Sequence, residues 1–107
     1  MTALILAALI ALPGPPATGT PVVTIQDFKY SPATVTVRVG QSVRFINRDD
    51  EAHTATARRN AFDSGGLDTG DSWTVRFTKP GKYPYFCSLH PYMTGAVIVV
   101  PQGGHSK

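Results

Sequence analysis

Four side chains with the chemistry to bind a soft metal ion occur at two separated places in the sequence. Cys87, His90 and Met93 follow one another at intervals of three residues. A loop that leaves one predicted strand at Cys87 and enters the next a few residues later can bring all three side chains to one point. We expect His53, upstream after a polar stretch, to supply the fourth ligand, because the third histidine, His105, falls in a polar tail.

The ligand types favour copper over other metals. Thiolate and thioether are soft, imidazole is intermediate, and two His and one Cys with a weak axial Met form a type 1 copper site. A structural zinc site would need four strong ligands, for which a neutral thioether is a weak substitute, and calcium or magnesium would need oxygen ligands. The sequence therefore predicts one copper ion per chain, cycling between Cu(I) and Cu(II).

The chain contains a single cysteine. In an oxidising compartment a lone Cys is buried and inert, forms a disulfide with another chain, or has a chemical role such as metal binding or catalysis. Taken one at a time, Cys87, His90 and Met93 would each more often pack or hydrogen-bond than bind a metal. Their coincidence on one short loop, with a further His in another predicted strand, favours the copper site.

Apolar and polar residues alternate with period two from Val22 onward. The alternation is clearest over 34–39 and 73–78, so we expect each of these segments to have one buried face and one solvent-exposed face. Further strands are predicted at 22–28, 42–47, 53–57, 82–87 and 95–100. Outside the apolar start of the chain, no window has sustained helical spacing, and turn signals separate the segments. The pattern predicts an all-β protein, an antiparallel β-sandwich of about seven to eight strands.

One domain accounts for the length of 107 residues. Residues 1–12 are apolar but shorter than the roughly 20 residues that span a bilayer. We expect 1–20 to be a signal peptide or N-terminal leader, 21–101 the copper-binding domain and 102–107 a flexible tail. An uncleaved anchor or a misassigned start is the alternative, since no Lys or Arg precedes the apolar run. The location implied is periplasmic or secreted.

The formal net charge of +3 is a mild excess of positive charge. Lys and Arg are scattered, with Arg58 and Arg59 the only adjacent pair. The sequence therefore lacks the cluster of basic residues that is typical of nucleic-acid-binding proteins. A slightly acidic redox protein is the partner that this charge suggests. No later apolar run is long enough to span a membrane, so we expect a mature domain that is not membrane-embedded, and a monomer.

The sequence resembles the cupredoxins, and within them amicyanin and plastocyanin, whose ligand loop has the form Cys-x-x-His-x-x-Met. The similarity covers residues 22–100 and is strongest in the later half, at Phe62–Gly65, Gly70–Trp73, Pro80–Gly81 and Met93–Val99. The resemblance implies a Greek-key β-sandwich that holds one type 1 copper ion and carries single electrons between redox proteins.

The resemblance also implies residues that support the ligands. In the family, an Asn before the first histidine loop bridges to a hydroxyl residue that follows the Cys, and Asn47 and Ser88 match those places. Thr54 stands where relatives often carry Asn, so only its backbone amide is expected to donate toward the sulfur of Cys87. These contacts would tie the two ligand segments together.

Apolar residues surround the predicted ligand His90. Leu89, Pro91 and Tyr92 would form an apolar collar around the imidazole edge, on which a redox partner docks transiently. The alternative interpretation is that Leu89 and Tyr92 pack on the end of the sandwich, since single apolar residues need no special role.

Two other functions use the same residues. The four ligands would also suit copper storage, delivery or resistance without redox turnover, although a Cu(I) carrier usually recruits more thioethers and the only other Met is Met1. An enzyme would use Cys87 as nucleophile with His90 or His53 as base. No orienting residue or oxyanion feature is evident, so we expect that the protein is not an enzyme.

Overall fold

The computed structural model describes residues 14–102, and these form eight strands in two sheets. The strands are β1 Val22–Gln26, β2 Lys29–Ser31, β3 Thr34–Arg38, β4 Ser42–Asn47, β5 Thr56–Ala57, β6 Ser72–Arg76, β7 Gly81–Phe86 and β8 Thr94–Val100. One 3-10 turn, Arg58–Asn60, follows β5. The first sheet has the order β2-β1-β4-β6 and the second β3-β8-β7-β5. The β-sandwich that the alternation predicts is confirmed.

Each sheet contains one parallel pair, so the sandwich is mixed and not purely antiparallel. β1 runs parallel to β4 in the first sheet, and β3 runs parallel to β8 in the second. The chain crosses from the first sheet to the second between β2 and β3 and returns between β3 and β4. Because these crossings bring distant strands together, their relative direction is decided by topology, which period-two alternation does not encode.

The strand alternation builds one apolar core between the sheets. Val23, Ile25, Val37, Val43 and Val97 have no exposed surface, and burying each contributes about 1.5–3 kcal/mol. An aromatic layer adds to it, in which the rings of Phe45, Phe62, Trp73, Phe77, Tyr83, Tyr85 and Tyr30 pack at centroid distances between 4.7 and 6.1 Å. This core is the rigid support for the loops at the ends of the strands.

Strand β2 was not predicted, because its turn lacks the usual signal. Gln26 pairs with Lys29, so Asp27 and Phe28 form a two-residue hairpin turn, and both have positive φ values of 54° and 58°. Such turns usually contain Asn or Gly at these positions. A bulky residue in the left-handed region costs of order 1–3 kcal/mol, which the surrounding contacts of Phe28 must offset.

The predicted strand at 53–57 is much shorter in the structure. Only Thr56 and Ala57 form β5, while His53 makes an isolated bridge with Leu67. The residues from His53 to Ala55 therefore form a loop, which the bridge to Leu67 holds at His53. This arrangement places His53 at the end of the sandwich.

The domain limits at 1–20, 21–101 and 102–107 remain predictions. Residues 1–13 and 103–107, which hold most of the leader and tail, lie outside the described residues. Within the described part, the Ala17 amide donates to Thr36 O at 3.0 Å. No helix among residues 14–102 is long and apolar enough to cross a membrane.

Gly95 begins the core-facing part of β8, where a side chain has no room. A Cβ there would collide with the ring and hydroxyl of Tyr85 and lie 2.9 Å from the carbonyl oxygen of Ala33. We expect Gly95→Ala to lower the free energy of unfolding by about 1–3 kcal/mol, since the collision involves packed groups. Urea denaturation measures the change. Gly66→Ala is the control, because a Cβ at that position meets nothing within 4 Å, and equal effects of both substitutions would contradict the packing argument.

Candidate metal centre

Three of the predicted ligands meet at one end of the sandwich. The ligand atoms of His53, Cys87 and His90 all lie within 4.8 Å of one another. The sulfur of Cys87 is 3.7 Å from Nδ1 of His53 and 3.7 Å from Nδ1 of His90. His53 and Cys87 are fully buried, and His90 is partly exposed. Two imidazole nitrogens and one thiol sulfur therefore face a common point that is shielded from water.

Hydrogen bonds inside the ligand loop, residues 87–93, explain how the spacing of three residues produces convergence. His90 N donates to Cys87 O at 3.1 Å, and Met93 N donates to His90 O at 2.9 Å. Cys87 N donates in turn to Met93 O at 3.1 Å. Each interval thus closes a tight turn and the whole loop closes on itself. Met93 is buried and belongs to the same apolar cluster as Cys87, which keeps it beside the three-atom site.

The upstream loop, residues 48–55, presents His53 to the site with one ring nitrogen already engaged. His53 pairs with Leu67 through two backbone hydrogen bonds of 3.1 and 2.8 Å. Its Nε2 lies 2.8 Å from a carboxylate oxygen of Asp49. Because an ionised carboxylate only accepts, Nε2 must carry the proton in the neutral ring, and Nδ1 keeps its lone pair for a metal.

Asp49 was not identified from the sequence, where it is one of three consecutive acidic residues. The same oxygen that contacts His53 accepts a hydrogen bond of 3.0 Å from the Phe28 amide. Partial burial acts to raise the pKa of Asp49, but the hydrogen bonds from Phe28, His53 and neighbouring amides outweigh it and lower that pKa. No sequence signal separates Asp49 from Asp50 and Glu51, since only the fold brings Phe28 to it.

Thr54 connects the upstream loop to the ligand loop. Its backbone amide donates to the sulfur of Cys87 at 3.3 Å, as expected. Its hydroxyl oxygen accepts a 2.8 Å hydrogen bond from Ser88 N and lies 3.2 Å from the Ser88 hydroxyl. Thr54 therefore holds the backbone and side chain of the residue after the Cys.

The expected bridge between Asn47 and Ser88 is wrong. The side-chain amide of Asn47 instead donates to Glu51 O and Leu67 O, both at 2.8 Å, and its oxygen accepts from Asp49 N at 2.9 Å. Asn47 thus braces the upstream loop internally. The physical reason is that the Thr54 hydroxyl already occupies Ser88, so the buried Asn47 amide satisfies the carbonyl groups of its own loop.

Two aromatic residues outside the predicted ligand set contact the site. The Phe28 ring stands edge-on against both imidazoles, with centroid distances of 5.1 Å to His53 and 4.9 Å to His90. The Tyr30 hydroxyl donates to Thr54 O. Burial raises the pKa of Tyr30, and the adjacent Cys87 adds to the rise. Both residues lie far from the ligand segments in the sequence, so only the fold brings them beside the site.

The predicted collar around His90 is exposed. Leu89 and Tyr92 have 55% and 72% of their surface accessible, and Pro91 is also exposed. The rings of Tyr92 and His90 lie 6.2 Å apart. Leu89 and Tyr92 are therefore not buried against the end of the sandwich.

The donor set fits one copper ion. The chain offers one buried thiol, two Nδ1 atoms and a buried thioether nearby, which are the soft and intermediate ligands of a type 1 site. The family model of the cupredoxin-like domain matches residues 1–99 of the sequence. The chain belongs to the cupredoxin family.

This cupredoxin is similar to amicyanin and plastocyanin. Amicyanin of Paracoccus versutus is 31% identical over 83 residues, which cover 73% of this chain and 63% of that protein. Chloroplastic plastocyanin of Tetradesmus obliquus is 34% identical over 83 residues, covering 65% of this chain and 57% of that protein. The chain thus spans less than two thirds of the length of these two relatives.

A solved structure gives the same architecture. A purple cupredoxin from Nitrosopumilus maritimus superposes with a TM-score of 0.71 at 29% identity, over 74% of this cupredoxin and 98% of that chain. The match in fold over nearly the whole of that structure agrees with the eight-stranded sandwich found here.

We expect Asp49→Ala to destabilise the copper-free cupredoxin at pH 7 by about 1–3 kcal/mol, since charge-assisted hydrogen bonds are lost. The pKa of Asp49 is lowered from 3.8 in the folded protein. Its stabilising effect is therefore present above that ordinary value and disappears as the pH falls through the folded-state pKa. Urea denaturation at pH 7 and at pH 3 measures the difference.

Asp50→Ala is the matched control for this prediction, because Asp50 is the exposed neighbour of Asp49. A destabilisation by Asp49→Ala that is the same at both pH values, or no larger than that of Asp50→Ala, would show that the carboxylate does not hold the loop.

Proposed function

We propose that this cupredoxin would hold one copper ion through Nδ1 of His53, Sγ of Cys87 and Nδ1 of His90, with the thioether of Met93 as a fourth, weaker ligand. It carries single electrons between redox partners outside the cytoplasm. The observation that supports this most is the convergence of one sulfur and two imidazole nitrogens within 4.8 Å at a buried point. Similarity to amicyanin and plastocyanin, which are electron carriers, agrees with it.

The protein's part in this function is to hold the ligands in a fixed arrangement. Copper, when bound, supplies the one-electron couple, and its two oxidation states favour different geometries. Thr54 ties both loops, Asp49 fixes the His53 ring, and Phe28 packs against both imidazoles. Ligands that are fixed by such contacts move little when the oxidation state of the copper changes, and this lowers the reorganisation energy of electron transfer.

Electrons would enter and leave at the His90 edge of the site. His90 is partly exposed while His53 and Cys87 are fully buried, so it is the ligand that a partner can approach. Leu89, Pro91 and Tyr92 supply an exposed apolar collar for weak docking. The protein would work as a monomer in the periplasm or as a secreted protein, with redox proteins as its transient partners.

Copper storage, delivery or resistance uses the same ligands without redox turnover. Met93 is the only methionine among residues 14–102, so the described part offers a single thioether, whereas a carrier for Cu(I) would be expected to have several. Catalysis by Cys87 is disfavoured because the thiol is completely buried and a substrate cannot reach it.

Addition of Cu(II) to the purified protein is expected to produce an intense visible absorption band from charge transfer between the Cys87 thiolate and copper. Cys87→Ser should abolish the band, because a hydroxyl does not replace the thiolate. Ser88→Ala should keep it, since that change removes a hydroxyl and no ligand. Visible spectroscopy at equal copper loading provides the comparison, and a band that persists in Cys87→Ser would refute the ligand assignment.

A redox titration followed at that band separates electron transfer from copper handling. An electron carrier is expected to bleach and recover reversibly by one electron per copper while retaining the metal in both states. A colourless complex that reductants do not change, or release of the metal on reduction, would favour storage or delivery instead.

A further inference from the structure

A cleft with positively charged walls lies beside the edge strand of the second sheet. Its volume is about 460 Å³, and it is lined by Arg58, Arg59, Ala61, Lys82, Tyr83 and Pro84. The turn that follows β5 forms one wall, and β7, the neighbour of β5 in the sheet, forms the other. The three charged side chains are exposed, whereas Tyr83 is partly buried. The cleft therefore combines positive charge with an aromatic and apolar floor.

No carboxylate of the described residues neutralises these charges. Between residues 14 and 102, the one contact within 4 Å between a carboxylate and a basic side chain joins Asp49 to the His53 ring, and no Lys or Arg takes part in one. All seven Asp and Glu residues of the chain lie between Asp27 and Asp71 in the sequence, three of them at 49–51 in the upstream loop. Asp63 lies on the same flank as the cleft, but its carboxylate accepts hydrogen bonds from the Thr56 hydroxyl and the Gly65 amide and forms no ion pair with the arginines.

The local structure holds the cations in place. The Arg58 guanidinium lies over the Phe86 ring, 4.8 Å from its centroid, which is a favourable cation–π arrangement. Arg59 and Asn60 both have positive φ values, of 61° and 60°, although neither is glycine. This unfavourable turn directs two consecutive arginines to one side of the edge strand. Phe86 is bonded directly to Cys87, so the cleft borders the strand that enters the ligand loop.

We infer that the cleft is a docking surface for an acidic face of a redox partner protein. Three unpaired cations attract such a face, while the acidic residues 49–51 repel it, so the two together favour one orientation on the flank. The apolar floor supplies area that a purely ionic patch lacks. The inference rests on the proposed function and adds the site at which the acidic partner expected from the net charge binds.

The test measures binding of one probe protein in two charge states. A soluble c-type cytochrome is used as prepared, when it is basic, and after succinylation of its lysines, when it is acidic. Amide resonances of the isotope-labelled Cu(I) protein, which is diamagnetic, are followed during titration with each form. We expect the acidic form to bind at low ionic strength and to shift residues around 58–61 and 82–84, and the basic form not to shift them. Salt should weaken the complex.

Charge reversal at the cleft is compared with charge reversal elsewhere. The triple variant Arg58→Glu, Arg59→Glu, Lys82→Glu should weaken binding of the acidic cytochrome by about tenfold or more. The control Lys29→Glu, Arg38→Glu, Arg44→Glu changes the net charge equally but affects exposed residues of β2, β3 and β4 that do not line the cleft, so its effect should be much smaller. Equal weakening by both triple variants would show that net charge alone attracts the partner and would overturn the inference.

Two further outcomes keep this inference separate from the proposed function. Binding of the wild-type protein to anionic phospholipid vesicles at the same residues, without binding of the acidic cytochrome, would identify a membrane surface as the occupant and reject a protein partner. Because the titration measures binding, it is repeated on copper-free protein. If the charge-transfer band is absent but the cleft variant still loses binding, the electron-transfer function is refuted and the docking surface is supported. If the band is present but the cleft variant binds the acidic cytochrome as well as the wild type does, the docking surface is refuted and the electron-transfer function is supported.

Discussion

The metal centre depends on the hydrogen bonds that hold the upstream loop against the ligand loop. Thr54 supplies them, with its amide on the Cys87 sulfur and its hydroxyl on the Ser88 amide. These contacts join parts of the chain that are more than thirty residues apart, as the separations of 33 and 34 residues show. They act together with the pairing of His53 with Leu67 and of β5 with β7, which hold the upstream loop at the end of the sandwich.

The sandwich makes this junction rigid from below. Cys87 directly follows β7 and Met93 directly precedes β8, and all six residues of β7 pair with β8. The ligand loop therefore has both ends anchored in the second sheet, while His53 is paired with Leu67 near the first. A close-packed core keeps these anchors in place, so the positions of the ligands follow from the packing of the two sheets.

The turn between β1 and β2 connects the core to the metal centre at an energetic cost. Phe28 adopts a left-handed conformation that is unfavourable for a bulky residue, and its amide is held by Asp49. The same carboxylate oxygen contacts His53, and the Phe28 ring packs against both imidazoles. Strain in this turn is thus accompanied by contacts that orient two of the proposed ligands, as is common where backbone outliers occur beside functional groups.

The sequence by itself determined the sandwich, most of its strands and the four candidate ligands, because alternation is a local property and the spacing of Cys87, His90 and Met93 lies within one loop. Only the tertiary structure decided which residues support them. Asp49, Phe28 and Tyr30 join the site, and Thr54 takes the contact with Ser88 that was expected of Asn47. These contacts, like the parallel strand pairs and the cleft at Arg58, depend on sheet order. Sheet order arises from long-range packing, which period-two alternation does not encode.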